Sequence, residues 1–100
     1  MGSSSTTRKQ LAQLKILKRL AAERHRQEAL NQPGQLTFCL SMPHITWGGK
    51  MMVLAEKFGD VAKAAYEGYS KERTRAEEVI LQTELIQLAA VAAAWAESLE

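Results

Sequence analysis

Leu11, Leu14, Leu17 (or Lys18), Ala21 and Ala22 recur three to four residues apart, with Arg and Lys between them. That is the period of an amphipathic helix, and it predicts one from about Ser5 to Asn31, with a Ser or Thr near its start able to cap it. The pattern then stops. Pro33 and Pro43 bracket a stretch holding Gly34, Ser41 and Thr46, so residues 32–46 read as the main connecting loop. Beyond it, Met51, Leu54, Ala55, Phe58, Val61, Ala62, Ala65 and Tyr66 again follow a period near 3.6 and predict a second helix from about Trp47 to Tyr69. Gly68 and Ser70 mark its end. From Lys71 onward there is neither proline nor glycine, and Glu72 to about Leu99 reads as a third helix, roughly 40 Å long at about 1.5 Å per residue.

The third helix changes character along its length. Glu72 to Glu78 is charged, whereas Leu85 to Ala96 is apolar on nearly every face and rich in alanine. An apolar surface on all sides needs cover on all sides, which two helices of one short chain do not supply. The expected fold is therefore all-α: three long helices in a single domain spanning residues 1–100, forming an antiparallel bundle that a homo-oligomer, dimer or tetramer, completes around the third helix. Residues 1–5, small and polar, are expected to be disordered.

Composition narrows the function classes. The chain has 100 residues, room for one domain. Its net charge of +2 is too balanced for a protein that grips a long phosphate backbone, and Arg8, Lys9, Lys15, Lys18, Arg19, Arg24 and Arg26 surround the first helix without forming a nucleic-acid motif. The charge is unequally placed, however. Residues 1–31 hold seven basic and two acidic side chains, and residues 47–100 six basic and nine acidic ones, so the basic helix is expected to complement the acidic pair. One cysteine, Cys39, excludes an internal disulfide and fits a reducing, cytoplasmic setting. No uninterrupted apolar run reaches membrane-spanning length, because Leu85 to Ala96 is short and carries Gln87; no membrane partner is expected.

Several side chains could carry chemistry. Cys39 and His44 lie in the connection, but a nucleophilic pair needs more than five-residue spacing to support it. His25 reads as a surface histidine between Arg24 and Arg26, and Trp47 and Trp95 as packing anchors. Glu56 and Asp60 are four residues apart on the second helix, and Glu84 and Gln87 three apart on the third. Each pair shares a helical face, and antiparallel packing would bring the pairs together. Converging oxygens from facing helices suit a hard divalent cation such as Mg²⁺, although acids at helical spacing more often form a solvated face.

These same positions carry a family resemblance. The stretch from Val53 to Ala64, Val-Leu-Ala-Glu-Lys-Phe-Gly-Asp-Val-Ala-Lys-Ala, resembles the Glu-Glu-x-x-Glu segment of the MazG-like, all-α nucleoside triphosphate pyrophosphohydrolases. The stretch from Glu84 to Ala92, with Trp95 and Glu97 after it, is similar to their second acidic segment, Glu-x-x-Asp, in the form found in phage- and mobile-element-associated members. Ala22 to Gln27 resembles an Ala-Glu-Arg-x-Arg-Gln segment of that branch. The likeness spans most of residues 20–99.

The resemblance implies a Mg²⁺-dependent hydrolase, with Mn²⁺ as a substitute metal, that converts a nucleoside triphosphate to a monophosphate and pyrophosphate by water attack at the α–β phosphate junction. Its metal ligands would fall on Glu56, Asp60, Glu84 and Gln87, and its catalytic pair on Glu56 and Lys57. Arg24, Arg26, Gln27 and Lys57 would contact phosphate, and Trp47 or Phe38 would stack on the base. Two positions depart from the family pattern: Lys57 reverses a charge where the family has glutamate, and Gln87 is neutral where most members have aspartate. Close charges at an effective dielectric of about 20 interact by several kcal/mol, so these changes weaken attraction for a cation. Lys57 would instead meet phosphate directly as a point charge. The alternative that the resemblance leaves open is a helical oligomer of the same kind whose metal site has degenerated, acting as a nucleotide-binding or structural module.

Overall fold

The computed structural model describes residues 3–30, 46–69 and 72–100. They form three helices, α1 (Ser3–Leu30), α2 (Trp47–Glu67) and α3 (Arg75–Glu97), and no strand occurs among the described residues. The expected elements are therefore present, with shifted ends. α1 starts at Ser3, inside the stretch expected to be disordered. α2 is capped by Thr46, whose hydroxyl accepts from the Gly49 amide at 3.1 Å, and stops at Gly68. A side chain there would bring a Cβ to 3.3 Å from the Ala64 carbonyl oxygen, so glycine lets the chain turn tightly against its own last helical turn. α3 begins later than charge and the lack of breakers indicated. Thr74 and Glu77 form a reciprocal cap, the Thr74 hydroxyl accepting from the Glu77 amide and the Glu77 carboxylate from the Thr74 amide, each at 3.2 Å. The signature Thr-x-x-Glu is legible in the sequence and fixes the start more firmly than composition does.

α3 lies between the other two. It packs on α2 along one side and on α1 along another, while the backbones of α1 and α2 stay apart. At the α2 contact, Lys50 meets Ser98 just beyond the end of α3, and Gly68 lies beside Glu77 in its first turn. At the α1 contact, Arg19 donates to Gln82 at 2.5 Å and Arg24 to Glu97 at 2.6 Å, so position advances in the same sense along both helices.

The core is small: Val91 and Ala94 of α3, with Val53, Leu54 and Trp95 packed against them, and Ala64, Ile86 and Ala90 buried beside it. Only part of the periodic stripe of α2 supplies it. The half-buried and buried positions are Gly49, Lys50, Val53, Leu54, Lys57, Val61, Ala64 and, just past its end, Gly68. Met51, Ala55, Phe58, Ala62, Ala65 and Tyr66, most of the predicted stripe, are exposed. One residue of offset rotates a helix by about 100°. α2 thus meets α3 with a face that mixes Lys50 and Lys57 with Val53, Leu54, Val61 and Ala64, and leaves its Met51, Phe58 and Tyr66 side open.

Lys50 is 3% exposed and pairs with no carboxylate among the described residues. Its Nζ donates to Ser98 Oγ at 3.0 Å, and that hydroxyl donates to the Trp95 carbonyl at 2.6 Å. A cation at the end of α3 meets the negative pole of its peptide dipoles, which offsets part of the burial cost. Trp47, by contrast, is 68% exposed and is not part of the core among the described residues, a correction to its expected packing role.

Much apolar surface is left open. The accessible area is 7761 Å², against about 5,700 Å² for a folded monomer of this mass. The radius of gyration is 16.1 Å, against about 13 Å for a compact chain of this length. α3 is also long and apolar enough to match a membrane span by length and composition, which the count of uninterrupted apolar residues did not reveal; 22% of that window is buried inside the chain.

Candidate functional site

The residues singled out for chemistry sit on all three helices. Lys57 is on the α2 face turned toward α3, half-buried, with its Nζ 3.9 Å from Asp60 Oδ2 one turn on. Glu56 and Asp60 flank it and are exposed, and Glu84 and Gln87 are half-buried on α3. The contacts at the two ends of the α2–α3 pair, Lys50 with Ser98 and Gly68 with Glu77, set the register and bring Asp60 about level with Gln87. The two pairs therefore share one stretch of the helix pair.

Level is not convergence. Among the described residues, no three His, Cys, Asp or Glu side chains lie together closely enough to hold a metal ion. Mg²⁺ requires near-octahedral oxygen ligation, and the ammonium group nearest these carboxylates is Lys57. The donors of a single chain do not fit that cation.

The groups expected to contact phosphate have other partners. Arg24 donates through Nε to Glu97 Oε2 at 2.6 Å and through Nη2 to Glu28 Oε1 at 2.8 Å. Its guanidinium is held charged well above the usual range, by the hydrogen bond to Glu97 first, then against the opposing effect of burial by that to Glu28. Arg26 grips Glu23 with two parallel bonds, 2.8 Å from Nε and 2.6 Å from Nη2, and Gln27 donates to the same carboxylate at 3.0 Å. These bonds, the one from Arg26 foremost, hold the Glu23 carboxyl below its ordinary range in spite of burial, and the charge of Lys57 adds to the effect. Glu23 is the centre of a small polar cluster that sequence reading missed. Its spacing to Arg26 and Gln27 was visible, but a carboxylate between two arginines gave no reason to choose which would take it.

Two buried donors, Arg24 Nη1 and Trp95 Nε1, have no hydrogen-bond acceptor among the described residues. Trp47, expected to stack on a base, is exposed at the start of α2, and Phe38, Cys39 and His44 lie outside the described residues. His25 is exposed, as a surface histidine should be. No family model, no curated protein and no solved structure matches this chain.

Proposed function

We propose that this protein is a MazG-like helical module whose metal site has lapsed and whose role is structural, exercised as a homo-oligomer. The observation that carries this reading is the Lys57–Asp60 pair: a cation occupies the position where a metal-binding family has a second carboxylate, and no three-donor group surrounds it. The engagement of Arg24, Arg26 and Gln27 with Glu97, Glu28 and Glu23 supports it, since each phosphate contact would first have to break a charge-assisted bond. In this reading the antiparallel bundle is completed by further copies in the cytoplasm, and protein rather than lipid covers the apolar surface of α3.

A second reading is Mg²⁺- or Mn²⁺-dependent release of pyrophosphate from a nucleoside triphosphate. The common level of Asp60 and Gln87 on the helix pair favours it. Glu56, Asp60, Glu84 and Gln87 would then have to be gathered by assembly.

Pyrophosphate release from ribo- and deoxyribonucleoside triphosphates, with Mg²⁺, Mn²⁺ or chelator, separates the two. The structural reading expects no metal-dependent turnover from the wild-type chain. Turnover abolished by Glu56→Gln would overturn it and establish the hydrolase. Turnover gained only in Lys57→Glu would identify Lys57 as the change that silenced the site.

A further inference from the structure

Every described residue from Thr7 to Arg19 is exposed. This half of α1 carries Leu11, Leu14 and Leu17 at three-residue spacing, 58%, 53% and 58% exposed, together with Ile16. It also carries five basic residues and no acidic one, and Arg8, Lys9, Lys15 and Lys18 pair with no carboxylate among the described residues. A helical segment of this length is marginal in water without a packed face, so an exposed leucine stripe calls for a cover.

A matching surface exists on the same molecule; Arg19, at the end of the arm, touches its lining through Gln82, while Leu11, Leu14 and Leu17 stay exposed. Between the end of α2 and the start of α3 lies a groove of about 450 Å³ with Ala64, Ala65, Leu81 and Leu85 among its lining and Glu77 and Glu78 at its rim. Arg73 also lines it, but its contact to Glu78 is long, 3.8 Å, and that from Arg75 to Glu78 is 3.5 Å; both are exposed pairs of the kind that contribute little and exchange easily. Phe58 and Tyr66 of α2 are exposed as well. Leucines with lysines beside them thus have a counterpart in an apolar floor with a carboxylate rim.

We infer that the amino-terminal half of α1 is a docking arm that packs into the α2–α3 groove of a second copy, the two copies exchanging arms reciprocally. Charge complementarity chooses the occupant, since the basic arm and the acid-rimmed groove belong to one chain. Exposed surface is ample: the chain exposes 7761 Å², against about 5,700 Å² for a folded monomer of its mass. The inference rests on the assembly reading above and specifies its surface.

The test is light scattering with size exclusion on the full chain, beside Lys15→Glu with Lys18→Glu, and the same pair combined with Glu78→Lys. The wild type is expected to be a dimer, the double variant to dissociate at least tenfold more readily with its helix content retained, and Glu78→Lys to restore association. Amide exchange across Leu11–Lys18 in the wild type should slow as protein concentration rises, a readout that needs no variant. A wild-type oligomer unaffected by the arm variants, with arm exchange independent of concentration, would overturn the docking arm and leave the assembly reading standing. A monomeric wild type would remove both. A monomer that floats with vesicles of phosphatidylserine and phosphatidylcholine would assign the basic arm to an anionic lipid surface instead.

Discussion

Arg24 Nε lies 2.6 Å from Glu97 Oε2, joining the later half of α1 to the last residue of α3 across 73 positions of sequence. The Arg24 side chain is only 14% exposed, and the same guanidinium reaches Glu28 one turn along its own helix. Among the described residues this is a charge-assisted tie between α1 and α3. Arg24→Ala is expected to cost about 1–2 kcal/mol, through two charge-assisted bonds and the packing of the aliphatic stem. Thermal unfolding followed by circular dichroism should show the midpoint falling by roughly 5–15 °C. Arg24→Lys keeps the charge but loses the planar fork and should recover only part of the loss.

The Glu23 carboxyl gives a signed dependence on pH. Its value is held below the ordinary one, chiefly by the bond from Arg26. A depressed carboxyl contributes stability that is complete above the ordinary carboxylate value and is lost as pH falls through the folded value below it. Stability measured by urea unfolding should therefore fall from roughly pH 5 downward, and Glu23→Gln should make that acid limb shallower. An unchanged acid limb in the variant would show that the Glu23 cluster does not form.

Burial on α3 separates neighbouring alanines. Ala94 is 1% exposed against Val53, Leu54 and Trp95, whereas Ala92 is exposed. Ala94→Leu should destabilise by about 1–3 kcal/mol through overpacking, and Ala92→Leu should stay within about 0.5 kcal/mol when measured at dilution where chains do not associate. Equal effects at the two sites would mean that α3 presents a different face to α2.

The cap at the start of α3 is a local device. Thr74→Ala removes the acceptor for the Glu77 amide and should cost about 1 kcal/mol, while Thr74→Asn, a good cap in its own right, should restore most of it. Chemical denaturation of the three chains side by side checks the order.

Three helices and the stretch that separates the first from the second were legible in the sequence because the signals are local. Apolar period, prolines at the connection and a glycine at Gly68 act within one or two turns of the residue that carries them, and the Thr74-x-x-Glu77 signature, equally local, was passed over in placing the start of α3 at Glu72. The paired acids Glu56 with Asp60 and Glu84 with Gln87 were likewise visible as helical neighbours. The tertiary structure alone decided which face of α2 meets α3, because periodicity reports that a stripe exists and not which part of it a neighbour covers. It decided that Lys50 is buried over the end of α3, and that Arg24, Arg26 and Gln27 engage carboxylates of this chain. Those outcomes depend on how helices dock, and docking is a competition among surfaces far apart in sequence, settled by how closely two backbones approach and which charges that approach brings within reach.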